Sequence, residues 1–204
     1  MTTRLAVLAS GSGTNLQAII DASQQARLDA EVVLVVTDRS EAGARERARR
    51  AGIAEVHLPI GPHRADGGDP ATARRTYDAA LADEVAAAAP DWIVLAGWMR
   101  LLTSAFLDRF PGRVVNLHPA LPGQFPGPHA IDEAWAAHTS TGLDHTGVMV
   151  HLVPDERVDE GPVLASRVVP FAPGETRESL EARIHEVEHE LLVEVLADLS
   201  PGVV

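Results

Sequence analysis

Leu5-Ala6-Val7-Leu8-Ala9-Ser10-Gly11-Ser12-Gly13-Thr14-Asn15-Leu16-Gln17-Ala18-Ile19-Ile20 is the stretch on which the fold class turns. Five apolar residues in a row, without alternation, read as a short strand buried on both faces. The Ser/Gly segment breaks it, and Leu16, Ile19 and Ile20 then recur at helical spacing. A strand, a tight loop and a helix in that order form one α/β unit. The loop's free N–H groups and the helix dipole point toward an anion, most naturally a phosphate, and the Ser and Thr hydroxyls add donors. The simpler reading is a tight turn that needs glycine. A dinucleotide fingerprint would place a third glycine at position 16, where this chain has Leu16, and a Walker lysine is missing. NAD is therefore not expected, although Asp38 stands at the matching distance.

The same grammar continues outward. Glu31 to Thr37 is a second buried strand, followed by an Arg/Ala-rich helix from Ala42 that stops at Gly52, and a short third strand near Glu55 to Leu58. Gly61 to Pro70 reads as a mobile surface loop, Tyr77, Leu81 and Val85 as one face of a helix ending before Pro90, and Trp92 to Ala96 as a strand. A β-like run from Arg113 leads to Asn116, and a helix lies around Ile131 to Ala137. Thr146 to Val153 pairs antiparallel with Pro162 to Val169. Leu180, Ile184, Val187, Leu191, Val195 and Leu199 trace a closing helix with Thr176 as N-cap, stopped by Pro201-Gly202. The expected fold is α/β: a doubly wound, mostly parallel, Rossmann-like sheet with an antiparallel C-terminal edge and ligands at the carboxyl ends of its strands. One domain is expected over 1–204, with a phosphate-binding half over about 1–100 and a catalytic half over about 101–204.

The 204 residues carry 17 basic against 29 acidic side chains, a formal net charge of -12. Such a surface argues against a large nucleic-acid footprint, so an anionic ligand must be held by local N–H groups and a few arginines. There are no cysteines, which removes disulfides and thiolate chemistry. The apolar run at Leu5 is too short for a secretory core, and no stretch approaches membrane-spanning length. A soluble, cytoplasmic protein, monomeric or homodimeric, is expected.

Chemistry concentrates in Asn116-Leu117-His118-Pro119. Residues two apart on an extended strand project to one side, so a carboxamide and an imidazole can address the same substrate atom. Val158-Asp159-Glu160-Gly161-Pro162 puts a carboxylate in a Gly/Pro turn, where a loop can bring it to the imidazole and raise its pKa from about 6.5 toward or above neutral. His151 divides evenly between a sheet-face role and a functional one, while His57, His63, His138 and His145 read as surface residues. With no His/Asp/Glu set at ligand spacing, no catalytic metal is expected.

Four segments together resemble the phosphoribosylglycinamide formyltransferase family over nearly the whole chain: Ser10-Gly11-Ser12-Gly13-Thr14-Asn15-Leu16-Gln17-Ala18-Ile19, Leu95-Ala96-Gly97-Trp98-Met99-Arg100-Leu101-Leu102, Asn116-Leu117-His118-Pro119 and Asp159-Glu160-Gly161-Pro162. The resemblance implies a formyltransferase fold. It also implies transfer of the formyl group of 10-formyltetrahydrofolate, a co-substrate, to the primary amine of glycinamide ribonucleotide in purine synthesis. It assigns catalysis to Asn116, His118 and Asp159, with the oxyanion held by Asn116 and protonated His118. The ribonucleotide falls to Gly13, Thr14 and Asn15 with His185, Glu186, Val187 and Glu188. The folate falls to Arg74, Met99, Arg100, Leu101, Leu102 and Asn116 with Asp155, Glu156, Arg157, Val158 and Asp159. Leu121-Pro122-Gly123 replaces the family's usual Leu-Leu-Pro, and Asp132 occupies a region often basic in relatives. The rival readings are a formyltetrahydrofolate deformylase, usually preceded by a regulatory domain, and a non-catalytic nucleotide-binding module. A methionyl-tRNA formyltransferase would need a further C-terminal domain and a basic surface.

Overall fold

The computed structural model describes residues 1–63 and 69–199. Among them, seven strands join one sheet in the order β3-β2-β1-β4-β5-β6-β7. The strands are β1 (Thr3–Leu8), β2 (Ala30–Thr37), β3 (Glu55–His57), β4 (Trp92–Leu95), β5 (Val114–His118), β6 (His145–Leu152) and β7 (Val163–Pro170). β1 pairs parallel with β2 and β4, β2 with β3, and β4 with β5, whereas β5–β6 and β6–β7 are antiparallel. The mostly parallel sheet with an antiparallel C-terminal edge is thus present.

Two apolar layers flank the sheet because successive strand residues point to opposite faces. Leu5, Val7 and Ala9 pack with α1 (Thr14–Gln24) and α6 (Arg177–Asp198) on one side. Ala6 and Leu8 pack on the other with Tyr77, Leu81 and Val85 of α3 (Pro70–Ala87). Every residue from Leu5 to Ala9 is 0% exposed, which is why that run shows no alternation. A fully buried Leu there contributes roughly 1.5–3 kcal/mol. Asp69 caps α3 ahead of its Pro70, and Thr176 caps α6 with Ser179 in a reciprocal box.

Several boundaries differ from the sequence reading for local reasons. The helix expected over Ile131 to Ala137 runs on as α5 (Ala130–Thr141) to an αL C-cap at Gly142. Its last turn has no apolar periodicity, yet Thr139, Ser140 and Thr141 return their hydroxyls to the backbone carbonyls of Trp135, Ala136 and Ala137. α2 (Gly43–Arg50) begins where expected. α4 (Ser104–Leu107) has four residues and left no periodic signal. β6 is buried on both faces, with Leu121 lying against Gly147, whose own hydrogen leaves the room a Cβ would need. The loop expected from Gly61 to Pro70 includes a 3-10 turn at Gly61–His63 and then passes through 64–68, outside the described residues, as does Pro201-Gly202.

Candidate active site

β2 and β3 extend the sheet to one side of β1, and β4 returns on its other side, so the topological switch point lies between β1 and β4. A cavity of about 630 Å³ opens there, at the carboxyl ends of β1, β4 and β5. Ser10 ties its two walls together: its N–H donates to the Gly97 carbonyl, and its Oγ accepts from the Met99 N–H.

The turn from β1 into α1 forms one end. Gly13 is the N-cap, at φ +74° and without a side-chain cap, so the first-turn N–H groups of α1 keep their donors for a ligand. Gly13 is also sterically required: a Cβ would meet Ala44 Cα at 2.7 Å. The anion-binding and tight-turn readings of this loop therefore both hold. Behind it, the Asn15 Nδ2 donates to Glu188 Oε2 over 3.3 Å, and His185 Nδ1 lies 2.7 Å from the same oxygen. Glu188 is buried, and Asn15 Oδ1 has no hydrogen-bond partner.

At the centre, β5 delivers Asn116 and His118 to the same side, and the loop after β6 brings Asp159 between them. Asp159 Oδ2 stands 3.4 Å from His118 Nδ1, and Oδ1 accepts from Asn116 Nδ2 over 3.0 Å. The Gly127 N–H donates to Asp159 Oδ2 over 2.9 Å. Asp159 adopts φ +54°, a conformation that Asp tolerates better than bulkier residues. The other ring nitrogen, His118 Nε2, is 3.0 Å from the Phe125 carbonyl, and Phe125 itself is held at φ +43°. A bulky residue there stores on the order of 1–3 kcal/mol of backbone strain.

The structure brings most of the sequence-predicted residues to this cavity: Gly13, Thr14, Asn15, Met99, Arg100, Leu101, Leu102, Asn116, His118, Asp155, Glu156, Arg157, Val158, Asp159, His185 and Glu188. Three stand outside its lining. His185 and Glu188 share a helix face at i, i+3, which turns Glu186 out to solvent and Val187 into the core. Arg74 supports the wall from behind, its Nε donating to the Leu101 carbonyl over 3.1 Å.

Residues 3–196 match the family model described as formyl transferase. The chain belongs to the formyl transferase family. It is 41% identical to the phosphoribosylglycinamide formyltransferase of Dictyostelium discoideum, covering 98% of this chain and 99% of that one. It is 38% identical to the enzyme of that name from Escherichia coli, covering 97% and 87%. The crystal structure of glycinamide ribonucleotide transformylase 1 from Geobacillus kaustophilus superposes with a TM-score of 0.85 at 43% identity, over 97% of this chain and 98% of that one.

Within this family member, one expectation about the imidazole is corrected. Burial pushes the His118 pKa below its ordinary value, and the charge of Asp159 and the Phe125 carbonyl only partly pull it back. The sign of the Asp159 effect is as expected, but with His118 4% exposed the desolvation penalty outweighs it. Burial alone would raise the Asp159 carboxyl. Hydrogen bonds from His151 and the Gly127 N–H and the charge of His118 overcome that and hold it below the usual carboxylate value. The hydrogen bond to Glu188 raises His185.

His151 is the functional residue the sequence left undecided. It is 2% exposed, pairs directly opposite Asn116 in the antiparallel ladder, and places Nε2 3.2 Å from Asn116 Nδ2 and 3.4 Å from Asp159 Oδ1. The available signal was a histidine amid apolar residues in a strand next to Asn116, visible only once register was known. Glu156 is a second such case, because its Oε1 accepts from the Ser104 N–H over 2.8 Å and moors the Asp159 loop to α4.

Proposed function

We propose that this cavity transfers the formyl group of 10-formyltetrahydrofolate to the primary amine of glycinamide ribonucleotide. The observation that carries this reading is the convergence of Asn116, His118 and Asp159 midway between an open helix N-terminus and the 97–102 wall. Sequence likeness to proteins named for the same reaction supports it.

The ribonucleotide's phosphate takes the first-turn N–H groups of α1, and its amine approaches the centre past Glu188. The folate's pterin and N10 lie between the 97–102 wall and the 155–159 loop. The neutral amine attacks the formyl carbon, a C–N bond forms, and the carbonyl electron pair moves onto oxygen. Protonated His118 and the Asn116 carboxamide donate hydrogen bonds to that oxyanion. Both Asn116 N–H groups are directed to Asp159 and His151, and His118 Nε2 faces the Phe125 carbonyl, so the developing charge draws these donors from existing partners. Because both His118 nitrogens face oxygen acceptors, the protonated ring is the form in which each N–H is matched. The oxyanion then collapses, the bond to N10 breaks, and the amine's proton ends on N10 through water.

An assay with 10-formyltetrahydrofolate, with and without glycinamide ribonucleotide, tests the reading. Acceptor-dependent release of tetrahydrofolate is the expected result. Release that proceeds equally without acceptor makes the protein a hydrolase, and no release in either case makes it a binding module.

A further inference from the structure

Asp38 is a buried carboxylate that the chemistry above does not use. It directly follows β2, its side chain is 2% exposed, and its Oδ1 has no hydrogen-bond partner among the described residues. Its charge is met by the guanidinium of Arg100, whose Nε lies 2.8 Å from Asp38 Oδ2. That contact is an ion pair rather than an aligned hydrogen bond, since Arg100 Nε is itself without a hydrogen-bond acceptor. The face of the same guanidinium lies 5.6 Å from the centroid of the Tyr77 ring, and Tyr77 is fixed by its hydroxyl donating to the Leu58 carbonyl.

A half-satisfied buried pair of this kind is a poor device for stability, because desolvating two charges offsets most of their attraction. It is an effective device for aim. Of the three arginines lining the cavity, Arg157 is forked by Asp155, and Arg177 is shared between Asp132 and Glu181. Arg100 alone has only its Nε edge paired with a carboxylate, and among the described residues no carboxylate meets its terminal nitrogens. Those nitrogens belong to a residue that lines the cavity between exposed Met99 and Leu101.

We propose that Asp38 is a positioning residue that, with Tyr77, fixes the Arg100 guanidinium so that its terminal nitrogens receive a carboxylate of the co-substrate's glutamate tail. This rests on the formyl-transfer reading. With a fixed fork, less side-chain freedom is lost when the carboxylate binds, and bidentate geometry is available.

Steady-state kinetics of the full chain would use 10-formyltetrahydrofolate and 10-formyltetrahydropteroate, which lacks the glutamate. Asp38→Asn is expected to raise KM about 10-fold for the tailed co-substrate, the scale of one charge-assisted hydrogen bond. KM for the tail-less co-substrate and for glycinamide ribonucleotide stays unchanged, and kcat is preserved. Arg100→Ala gives the same split, and the double variant is no worse than Arg100→Ala. Asp38→Glu, which keeps the charge but displaces it, is expected to show the split too. Because the split is a ratio within one preparation, partial misfolding does not imitate it. If Asp38→Asn leaves the tailed KM unchanged or lower while Arg100→Ala raises it, the proposal is overturned. It is also overturned if Arg100→Ala treats both co-substrates alike, although acceptor-dependent formyl transfer by the unsubstituted chain would leave the broader reading standing.

Discussion

Asn116 and His151 face each other across β5 and β6, the carboxamide Nδ2 standing 3.2 Å from the imidazole Nε2. The opposite ring nitrogen, Nδ1, lies 2.8 Å from the Leu152 carbonyl and so carries the proton. Nε2 is thereby left to accept from Asn116, which fixes which end of the amide points at Asp159.

That relationship makes His151 a residue whose loss acts through another. His151→Ala frees the Asn116 amide to rotate and is expected to lower kcat on the order of 10²-fold, the scale of a misplaced catalytic group, with both KM values little changed. A kcat near that of the unsubstituted chain would show that Asn116 needs no such support.

Asn116→Ala and His118→Ala each remove a proposed oxyanion donor. Each is expected to lower kcat by about 10²–10³-fold, and because the two act on one oxygen their losses should not multiply. Single-turnover measurements of the double variant check this.

The pH profile follows from burial. If protonated His118 is the donor, the limb of kcat/KM that it governs falls as pH rises through a pKa below 6.5. Asp159→Asn removes the charge that partly restores that pKa, so the limb moves to still lower pH. Movement to higher pH would contradict the assignment.

Stability carries the same signs. His118, depressed in the folded state, contributes stability that is full above the unfolded value near 6.5 and lost as pH falls through its folded pKa. Asp159, also depressed, contributes above about 3.9 and loses that contribution at more acid pH. Urea unfolding from pH 7 to pH 5 should therefore show a shallower fall for His118→Asn than for the unsubstituted chain.

The cavity wall depends on buried Asp78, whose Oδ2 accepts from both the Thr103 N–H and Thr103 Oγ1 at 2.6 Å. Asp78→Ala leaves both donors unpaired, and a loss of about 2–4 kcal/mol is expected in denaturant unfolding. Burial pushes the Asp78 carboxyl upward. Asp78→Asn, which keeps an acceptor without the charge, should therefore be much milder.

Local pattern was sufficient for the α/β class, because each β-strand and longer helix carries its own periodicity and stop signals, from the unbroken Leu5 to Ala9 run to the Thr176 cap. It was sufficient for the shared direction of Asn116 and His118, because residues two apart on a strand must point one way. Burial and register were settled only by the folded chain. The sign of the His118 shift depends on how deeply β5 lies, and His151 joined the site because antiparallel pairing set it opposite Asn116. Asp38, Tyr77 and Arg100 meet only where β2, α3 and the segment after β4 converge. Such pairings are decided by packing between distant segments, and no window of sequence contains both partners.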